Sequence, residues 1–294
     1  MSDTQALVSW IIWPVLALGV IAAIAIGLTA YGAARWADAT RTLMLRLEGS
    51  RMPPTPSRYD VDELEGLPAP VQRYFRAVLK EGQPIIAAAT VEHIGTFNLS
   101  PAGEQWKPFT STQRVVTRRP GFVWNARIAM APGVAVYVHD AYVNGEGTLN
   151  PAILGLFSLA GEVNAHDLAQ GEFVRFFAET AWYPTALLPS QGVHWDAVDD
   201  HSTKATLVDG EVSVTMLVSF NEAGLIESVR VEARAALVGN TVVPTPWEGR
   251  WSNYQERNGM LVPLTAEASW LHVDGRKPYW RGTITALTHE FSRS

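Results

Sequence analysis

The sequence predicts an α+β protein: an N-terminal transmembrane helix followed by a large, curved antiparallel β-sheet, a half-barrel with helices packed on its concave face. Three observations carry this prediction. Residues 6–34 contain no charged side chain. Two later blocks of the chain alternate apolar and polar residues, as strands with one buried face do. A mainly helical segment, residues 151–190, separates these blocks, and helices within an antiparallel meander most simply lie across one face of the sheet.

The composition excludes several classes of function. The 294 residues carry a net charge of −6, whereas nucleic-acid binding needs a clustered basic surface, so we predict no nucleic-acid partner. The chain has no cysteine. It therefore forms no disulfide and no thiolate zinc site, and it has no cysteine nucleophile.

Residues 1–34 are predicted to anchor the protein in a lipid bilayer. A run of roughly 20 apolar residues crosses the hydrocarbon core, and Trp13 and Tyr31 lie near its two ends, where amphipathic rings favour the interface. The alternative is a cleaved signal peptide. Against it, the apolar run is longer than a signal requires, and the residues before it include Asp3 but no Lys or Arg.

Flanking charges predict on which side of the membrane the remaining chain lies. Four arginines follow the apolar run within residues 35–51 and no basic residue precedes it, so the positive-inside rule places the C-terminal part in the cytoplasm. Residues 35–58 are predicted to continue as a helix and then form a proline-rich linker. Residues 59–294 are predicted to form the β-rich domain.

Hydrophobic periodicity predicts the elements of that domain. Residues 67–82 place their apolar side chains on one helical face. Within residues 151–190, the stretch "NPAILGLFSLAG" is predicted as a short buried helix, and a second helix, capped by Asn164, ends before Pro184. Strands are predicted at 87–98, 111–119, 121–130 and 134–144; further strands follow Trp195, one of which places Val229, Val231, Ala233 and Ala235 on one face.

The hairpin at residues 121–144 contains the first candidate site. A turn at 131–133 places Met130 opposite Val134 and Trp124 opposite Asp140. With this register, one face carries Trp124, Asp140 and Tyr142 among apolar residues, and the other face carries Arg127 and His139.

Asp140 has two interpretations. As a structural carboxylate it accepts hydrogen bonds from backbone amides of the following turn or pairs with an arginine, because a buried charge needs a partner. As a functional carboxylate at the rim of an apolar pocket it orients a ligand or acts as a general base. The arginines that qualify as partners are Arg127, Arg175, Arg230 and Arg281.

A second candidate lies on the helix "GEFVRFFAETAW". Glu172, Arg175 and Glu179 follow one another at spacings of three and four, so they share one side of a helix. They form either an ion pair on a solvent-exposed face or, with Glu179 turned inward beside Trp182, part of the pocket. The predicted ligand-binding residues are Trp124, Arg127, Asp140, Tyr142, Glu179 and Trp182, and the tryptophans expected to line an apolar cavity are Trp106, Trp124, Trp182 and Trp247.

No motif specifies a metal, a cofactor or a reaction. No two of the seven histidines lie within five residues of each other, so a metal-binding HExxH pair is absent. His194 and His201, with three aspartates between them, form either a metal site or a polar turn. The nucleophile motif GxSxG and the phosphate-binding motifs GxxxxGK and GxGxxG are also absent. We therefore predict no metal and no cofactor, and we assign no catalytic residue.

The stretches "GFVWNARIAM", "DAYVNGEG", "AETAWYPTALLPS" and "PWEG" together resemble a bacterial family that is a domain of unknown function, over roughly residues 65–290. The resemblance implies membership of a membrane-anchored family, and it implies no activity; we predict that the membrane is the cell inner membrane. By element order alone, the chain is also similar to the lipoprotein-carrier and outer-membrane-lipoprotein-sorting fold, a half-barrel that holds acyl chains. That analogy implies a periplasmic domain, in conflict with the flanking charges.

The function predicted first is the binding of a lipid or another apolar ligand in a half-barrel cavity. A hydrolase using Asp140 or Glu179 as acid or base is the alternative, and a scaffold subunit of a membrane complex is the third. The bilayer and an apolar small molecule are the expected partners; the sequence specifies no protein partner.

Overall fold

The computed structural model describes residues 3–100, 103–159, 161, 163–238 and 241–292. Within these residues, thirteen strands form one antiparallel sheet that is accompanied by three α-helices, which confirms the predicted fold class. The helices are α1 (Asp3–Ser50), α2 (Ala69–Val78) and α3 (Ala165–Ala178). The strands are β1 (Ile86–Asn98), β2 (Trp106–Val116), β3 (Gly121–Ala131), β4 (Val134–Val143), β5 (Glu146–Ile153), β6 (Phe157–Ser158), β7 (His194–Ala197), β8 (Ser202–Asp209), β9 (Val212–Phe220), β10 (Ile226–Val238), β11 (Thr241–Arg257), β12 (Met260–His272) and β13 (Gly275–Phe291).

The strand order explains why the helical segment crosses the sheet. From β1 in the middle, β2 to β6 run outward to one edge, while β13 pairs with β1 on its other side and the order descends to β7 at the opposite edge. The chain between β6 and β7 must therefore travel from edge to edge. It does so as α3 and three short 3₁₀ turns, and their apolar side chains meet the concave face of the sheet.

The main core lies between the concave face and helices α2 and α3. From α3 it receives Phe173, Phe176 and Phe177, which are almost completely buried, and from α2 it receives Tyr74 and Phe75. Side chains at alternate positions of β3 and β4 complete it from the sheet, including Phe122, Trp124, Ile128, Val136, Val138 and Tyr142.

Helix α1 lies on the opposite, convex face. Leu47 is fully buried there against β1 to β4. In the C-terminal third of the helix, the Trp36 ring stacks on His139 at a centroid distance of 3.8 Å, and its indole N–H donates to Asn125 Oδ1 at 2.9 Å. Further along, Arg46 pairs with Glu146 at 2.6 Å. The helix is continuous over 48 residues, so its N-terminal part is attached to the domain without a flexible joint.

Two sequence predictions about the β3–β4 and β10 strands need correction. The register of β3 and β4 is as predicted from Phe122–Tyr142 to Ala129–Ala135, but Ala131 and not Met130 pairs with Val134, because a bulge inserts one residue next to the turn. A second bulge lies between Val231 and Arg234. It exposes Ala233, which was predicted to share a face with Val231.

The predicted short buried helix at "NPAILGLFSLAG" is wrong. Its first residues finish β5, where Pro151 pairs with Val138, and the chain then turns at Leu154 and Gly155, both with positive φ, into β6. Phe157 and Leu159 are 63% and 51% exposed. Short apolar runs do not distinguish a helix from an edge strand by periodicity, and here pairing with β4 decides. Residue 160 of this stretch lies outside the described residues. The predicted cap is confirmed, since Asn164 Oδ1 accepts from the Asp167 N–H at 2.9 Å.

The contact between α1 and His139 predicts a pH dependence of stability. Burial lowers the pKa of His139 from 6.5 to about 4, because the ring stacks on Trp36 in its neutral form. Since the folded pKa is below the unfolded value, the stabilisation is complete above about pH 6.5 and is lost as the pH falls from 6.5 towards 4. We expect His139→Gln to be less stable at pH 7 and to lose less stability on acidification, measured by denaturant unfolding at several pH values. Parallel pH profiles of the two proteins would contradict this.

Candidate functional site

A cavity of about 380 Å³ lies between the concave face and α3. Its volume is within the roughly 300–1,000 Å³ that is usual for small-molecule sites. Most of its wall is apolar, and no serine, threonine, cysteine or histidine of the described chain lines it. Five tryptophans contribute to the wall: Trp124, Trp182, Trp247, Trp251 and Trp280.

A charged cluster closes the inner end of the cavity. Arg175 on α3 donates through Nη1 to Asp140 Oδ2 on β4, and through Nε to Glu179 Oε1 at 2.8 Å. Gln113 on β2 donates to the other oxygen of Glu179 at 2.5 Å. The guanidinium of Arg175 also lies over the ring of Trp124, 4.6 Å from its centroid. One arginine therefore compensates two carboxylates and packs on an aromatic face, which is a geometry that suits guanidinium.

Burial shifts the pKa values of two groups in and beside this cluster. Burial, and then the negative charge of Asp140, raises the pKa of Glu172 well above its usual range. Burial by itself would lower the pKa of Arg175, but the carboxylates of Glu179 and Asp140 outweigh it and hold the pKa above its usual range. The site therefore contains one guanidinium between two carboxylates, and beside them the carboxyl of Glu172 with its raised pKa.

Of the four arginines proposed as partners of Asp140, the structure selects Arg175. Arg127 is exposed on the convex face, and Arg230 and Arg281 pair with Glu232 and Glu267. The predicted helical ion pair between Arg175 and Glu179 is present, but it is buried and lies against the sheet. Of the two alternatives for this pair, the solvent-exposed one is wrong and the inward one is present, because the crossing of the concave face by α3 turns this side of the helix inward.

The structure brings four of the six predicted ligand-binding residues to one cavity: Trp124, Asp140, Glu179 and Trp182 all line it. Tyr142 lies on the same face of the sheet but outside the cavity, where its hydroxyl donates to Asp209 at 2.8 Å. Arg127 does not contribute, since it lies on the other face. Trp106, expected among the lining tryptophans, instead lies beneath the guanidinium of Arg281 at 4.4 Å.

Sequence reasoning missed Arg234 and Tyr279. The Arg234 guanidinium donates to the Gly171 carbonyl at 3.1 Å and to the Tyr279 hydroxyl at 3.2 Å, and it lies 5.2 Å from the Trp247 ring centroid. The bulge in β10 turns Arg234 towards the cavity, whereas strict alternation places it outside. The only signal in the sequence is an arginine within the otherwise apolar stretch "ARAAL".

The described residues contain no group of three His, Cys, Asp or Glu side chains that could hold a metal ion. His194, a residue of the alternative metal site, lies on the surface with its Nε2 3.2 Å from Asp196 Oδ1.

Comparisons with known proteins give a family and a distant fold likeness. The chain is similar to the crystal structure of a LolA superfamily protein from Nitrosomonas europaea, with a TM-score of 0.35 and 13% identity over 76% of this chain and 92% of that one. It is also similar to a β-barrel-like protein of the domain of unknown function DUF1849 from Brucella abortus, with a TM-score of 0.27 and 9% identity over 70% and 99% of the two chains. At these values neither likeness identifies a ligand.

A search of curated proteins gives no match. A family model, described as a family of unknown function (DUF6920), matches residues 65–289. This range contains the whole sheet except the last two residues of β13, together with the cavity and its charged cluster. The predicted membership is confirmed, and the chain belongs to the DUF6920 family of unknown function.

Proposed function

We propose that residues 59–294 bind a lipid or a similar amphipathic ligand in the cavity of the half-barrel, with residues 1–34 as the membrane anchor and 35–58 as the connection. The observation that carries this proposal is the cavity itself, which has an apolar wall with five tryptophans and a charged cluster in which Arg175 pairs with both Asp140 and Glu179. A long apolar chain gains free energy at roughly 25 cal/mol for each Å² that it removes from water. The apolar part of the wall offers such burial.

Native mass spectrometry of the full-length protein, followed by lipid extraction, tests this proposal. We expect acyl-chain lipids to co-purify in defined stoichiometry and to leave on organic extraction. A protein that carries no lipid from a gentle detergent, and takes up none when lipid is added, would overturn the proposal and favour the scaffold alternative.

The anchor is supported by the character of α1. Among the described residues, one helix is long and apolar enough to cross a membrane, Trp13–Ser50, and a signal sequence would pass the same test. Trp36 and Leu47 of α1 pack on the domain, and the helix continues from them without interruption into its apolar N-terminal part. This packing favours retention of α1 in the mature protein over its cleavage as a signal sequence.

We expect the membrane-extracted protein to keep its N-terminus, as measured by N-terminal sequencing. A new N-terminus beyond Ala30 would contradict the anchor.

Alkaline phosphatase fused at the C-terminus tests on which side of the inner membrane the domain lies. The flanking arginines predict a cytoplasmic domain and therefore an inactive fusion. High activity would place the domain in the periplasm.

A hydrolase remains the second candidate because of one observation, the buried Glu172 beside Asp140, where burial and the neighbouring carboxylate raise the pKa of Glu172. Pairs of titratable groups whose environments move their pKa values apart are typical of acid–base catalysis. Two features weigh against it: Asp140 and Glu179 both accept from Arg175, and the cavity wall lacks a serine, threonine, cysteine or histidine among the described residues. Turnover of a bound ester that Asp140→Asn abolishes would favour the enzyme.

A further inference from the structure

The direction of α1 relative to the sheet determines where a membrane would lie. Gly32 contacts the β5–β6 turn, where a Cβ on Gly155 would lie 2.8 Å from the Gly32 carbonyl oxygen. Arg46 pairs with Glu146 at the other end of β5. The helix therefore runs along β5 in the reverse direction, and everything before Gly32 projects beyond the end of the sheet at which β5 finishes, here called the upper end.

The length of the projecting helix matches a bilayer. From Trp13 to Gly32 an α-helix rises about 28 Å at 1.5 Å per residue, close to the hydrocarbon thickness of about 30 Å. Over this length the apolar side chains of α1 are exposed, among them Leu18 at 65% and Ile26 at 68%. If α1 spans the membrane, the surface of the bilayer lies directly at the upper end of the sheet.

The cavity opens towards the same end. Since neighbouring strands are antiparallel, the β1–β2 and β3–β4 turns lie beside the β5–β6 turn. Leu99, just after β1, and Leu159, just after β6, line the cavity and are 39% and 51% exposed. The open side continues along β5 to Leu149, beyond the residues of β5 that pair with β6, whereas the Asp140–Arg175 pair closes the inner end.

Further apolar side chains surround this mouth. Phe157 in β6 is 63% exposed and Val134 next to the β3–β4 turn is 40% exposed. Val273, in the β12–β13 turn, is fully exposed, and the neighbouring charges Asp274 and Lys277 pair with each other at 2.7 Å. Exposed apolar residues grouped at one end mark an interaction surface, and the attached helix indicates that its partner is a lipid bilayer.

We propose that the upper end of the half-barrel docks on the bilayer, with Phe157 and Leu159 inserted at the interface, and that the cavity takes its lipid directly from the membrane. This inference rests on the proposed function, because it needs both the anchor and a cavity that binds lipid. The β5–β6 turn is the central element: through Gly155 it contacts the helix, and through Leu159 it forms the rim of the cavity.

The docking is tested on the full chain in phosphatidylcholine nanodiscs. The natural sequence has no cysteine, so Phe157→Cys carries a single environment-sensitive fluorophore without further changes. The control is Val208→Cys, similarly exposed at 58% but on β8, next to the Asp209 that binds Tyr142 far from the upper end. We expect the label at 157 to be blue-shifted and protected from aqueous iodide, and the label at 208 to be quenched. Equal quenching at both positions would overturn the docking.

The transfer is tested with a pyrene-labelled fatty acid, supplied either from phosphatidylcholine vesicles or as monomers in dilute solution. We expect the double variant Phe157→Glu/Leu159→Glu to load roughly tenfold more slowly from vesicles, the equivalent of about 1.4 kcal/mol, and to load from monomers like the natural protein. The control Val208→Glu should behave like the natural protein in both arms. Unchanged loading from vesicles in the double variant would overturn direct transfer alone. If the natural protein takes up the fatty acid by neither route, the proposed function fails and this inference fails with it.

Discussion

Replacing Arg175 by methionine is expected to lower the free energy of unfolding by about 3–5 kcal/mol, the effect of breaking a buried ion pair by removing one partner. The arginine compensates Asp140 and Glu179 at once, and only 14% of its side chain is exposed. Methionine fills much of the same volume, so the loss reports the two uncompensated carboxylates. Chemical denaturation of the full chain in detergent measures it.

The control for this variant is Arg230→Met. Arg230 also pairs with a carboxylate, Glu232, but its side chain is 43% exposed and that of Glu232 is 74% exposed. Exposed pairs contribute about 0–1 kcal/mol, so this variant should unfold almost like the natural protein. Similar losses in the two variants would show that the cluster at the inner end of the cavity has no special structural role.

A further variant, Asp140→Asn, removes the charge of only one of the two carboxylates that pair with Arg175. We expect its melting temperature to fall, but by less than that of Arg175→Met, because Arg175 keeps Glu179 as a partner. Removing the charge of Asp140 also removes one cause of the raised pKa of Glu172, which then ionises more readily next to the arginine. An unchanged melting temperature combined with lost lipid binding or turnover would instead favour the functional interpretation of Asp140.

The second large effect is expected from filling the cavity. Ala268 on β12 is half-buried, lies in the cavity wall and pairs with Trp280 across the strands. In Ala268→Trp the indole occupies space that the proposed lipid needs, so we expect the co-purified lipid to fall by at least roughly tenfold, a change of about 1.4 kcal/mol in binding. Native mass spectrometry of the full-length protein measures the occupied fraction.

Ala286→Trp is the matched control. Ala286 lies on the neighbouring strand β13, but its side chain is exposed and does not line the cavity. This variant adds the same indole and should keep the lipid content of the natural protein. Full lipid occupancy in Ala268→Trp would mean that the lipid binds elsewhere. Lost occupancy in both variants would mean that the substitution acts through general destabilisation.

Local signals predicted much of the fold and part of the site. The turn at residues 131–133 was sufficient to predict that Trp124 lies opposite Asp140, because a hairpin register follows from its turn. The cap at Asn164 predicted α3, and the apolar face of residues 67–82 predicted α2. Both signals depend only on residues a few positions apart in the chain. Trp124, Asp140, Glu179 and Trp182 line one cavity, and their faces could be predicted because hairpin faces and helical spacing are local properties.

By itself, the sequence determined the α+β class, the face of the hairpin on which Asp140 lies and the apolar character of the N-terminal run. Only the tertiary structure decided that β13 pairs with β1, that Arg175 is the partner of Asp140 and that bulges bring Arg234 inward and place Ala131 opposite Val134. It also decided that Leu154–Leu159 form a turn and an edge strand against Gly32. The physical reason is the range of the interactions: periodicity, capping and turns depend on residues a few positions apart, whereas strand order, charge pairing and the docking of a helix depend on side chains that meet only when the sheet has curved.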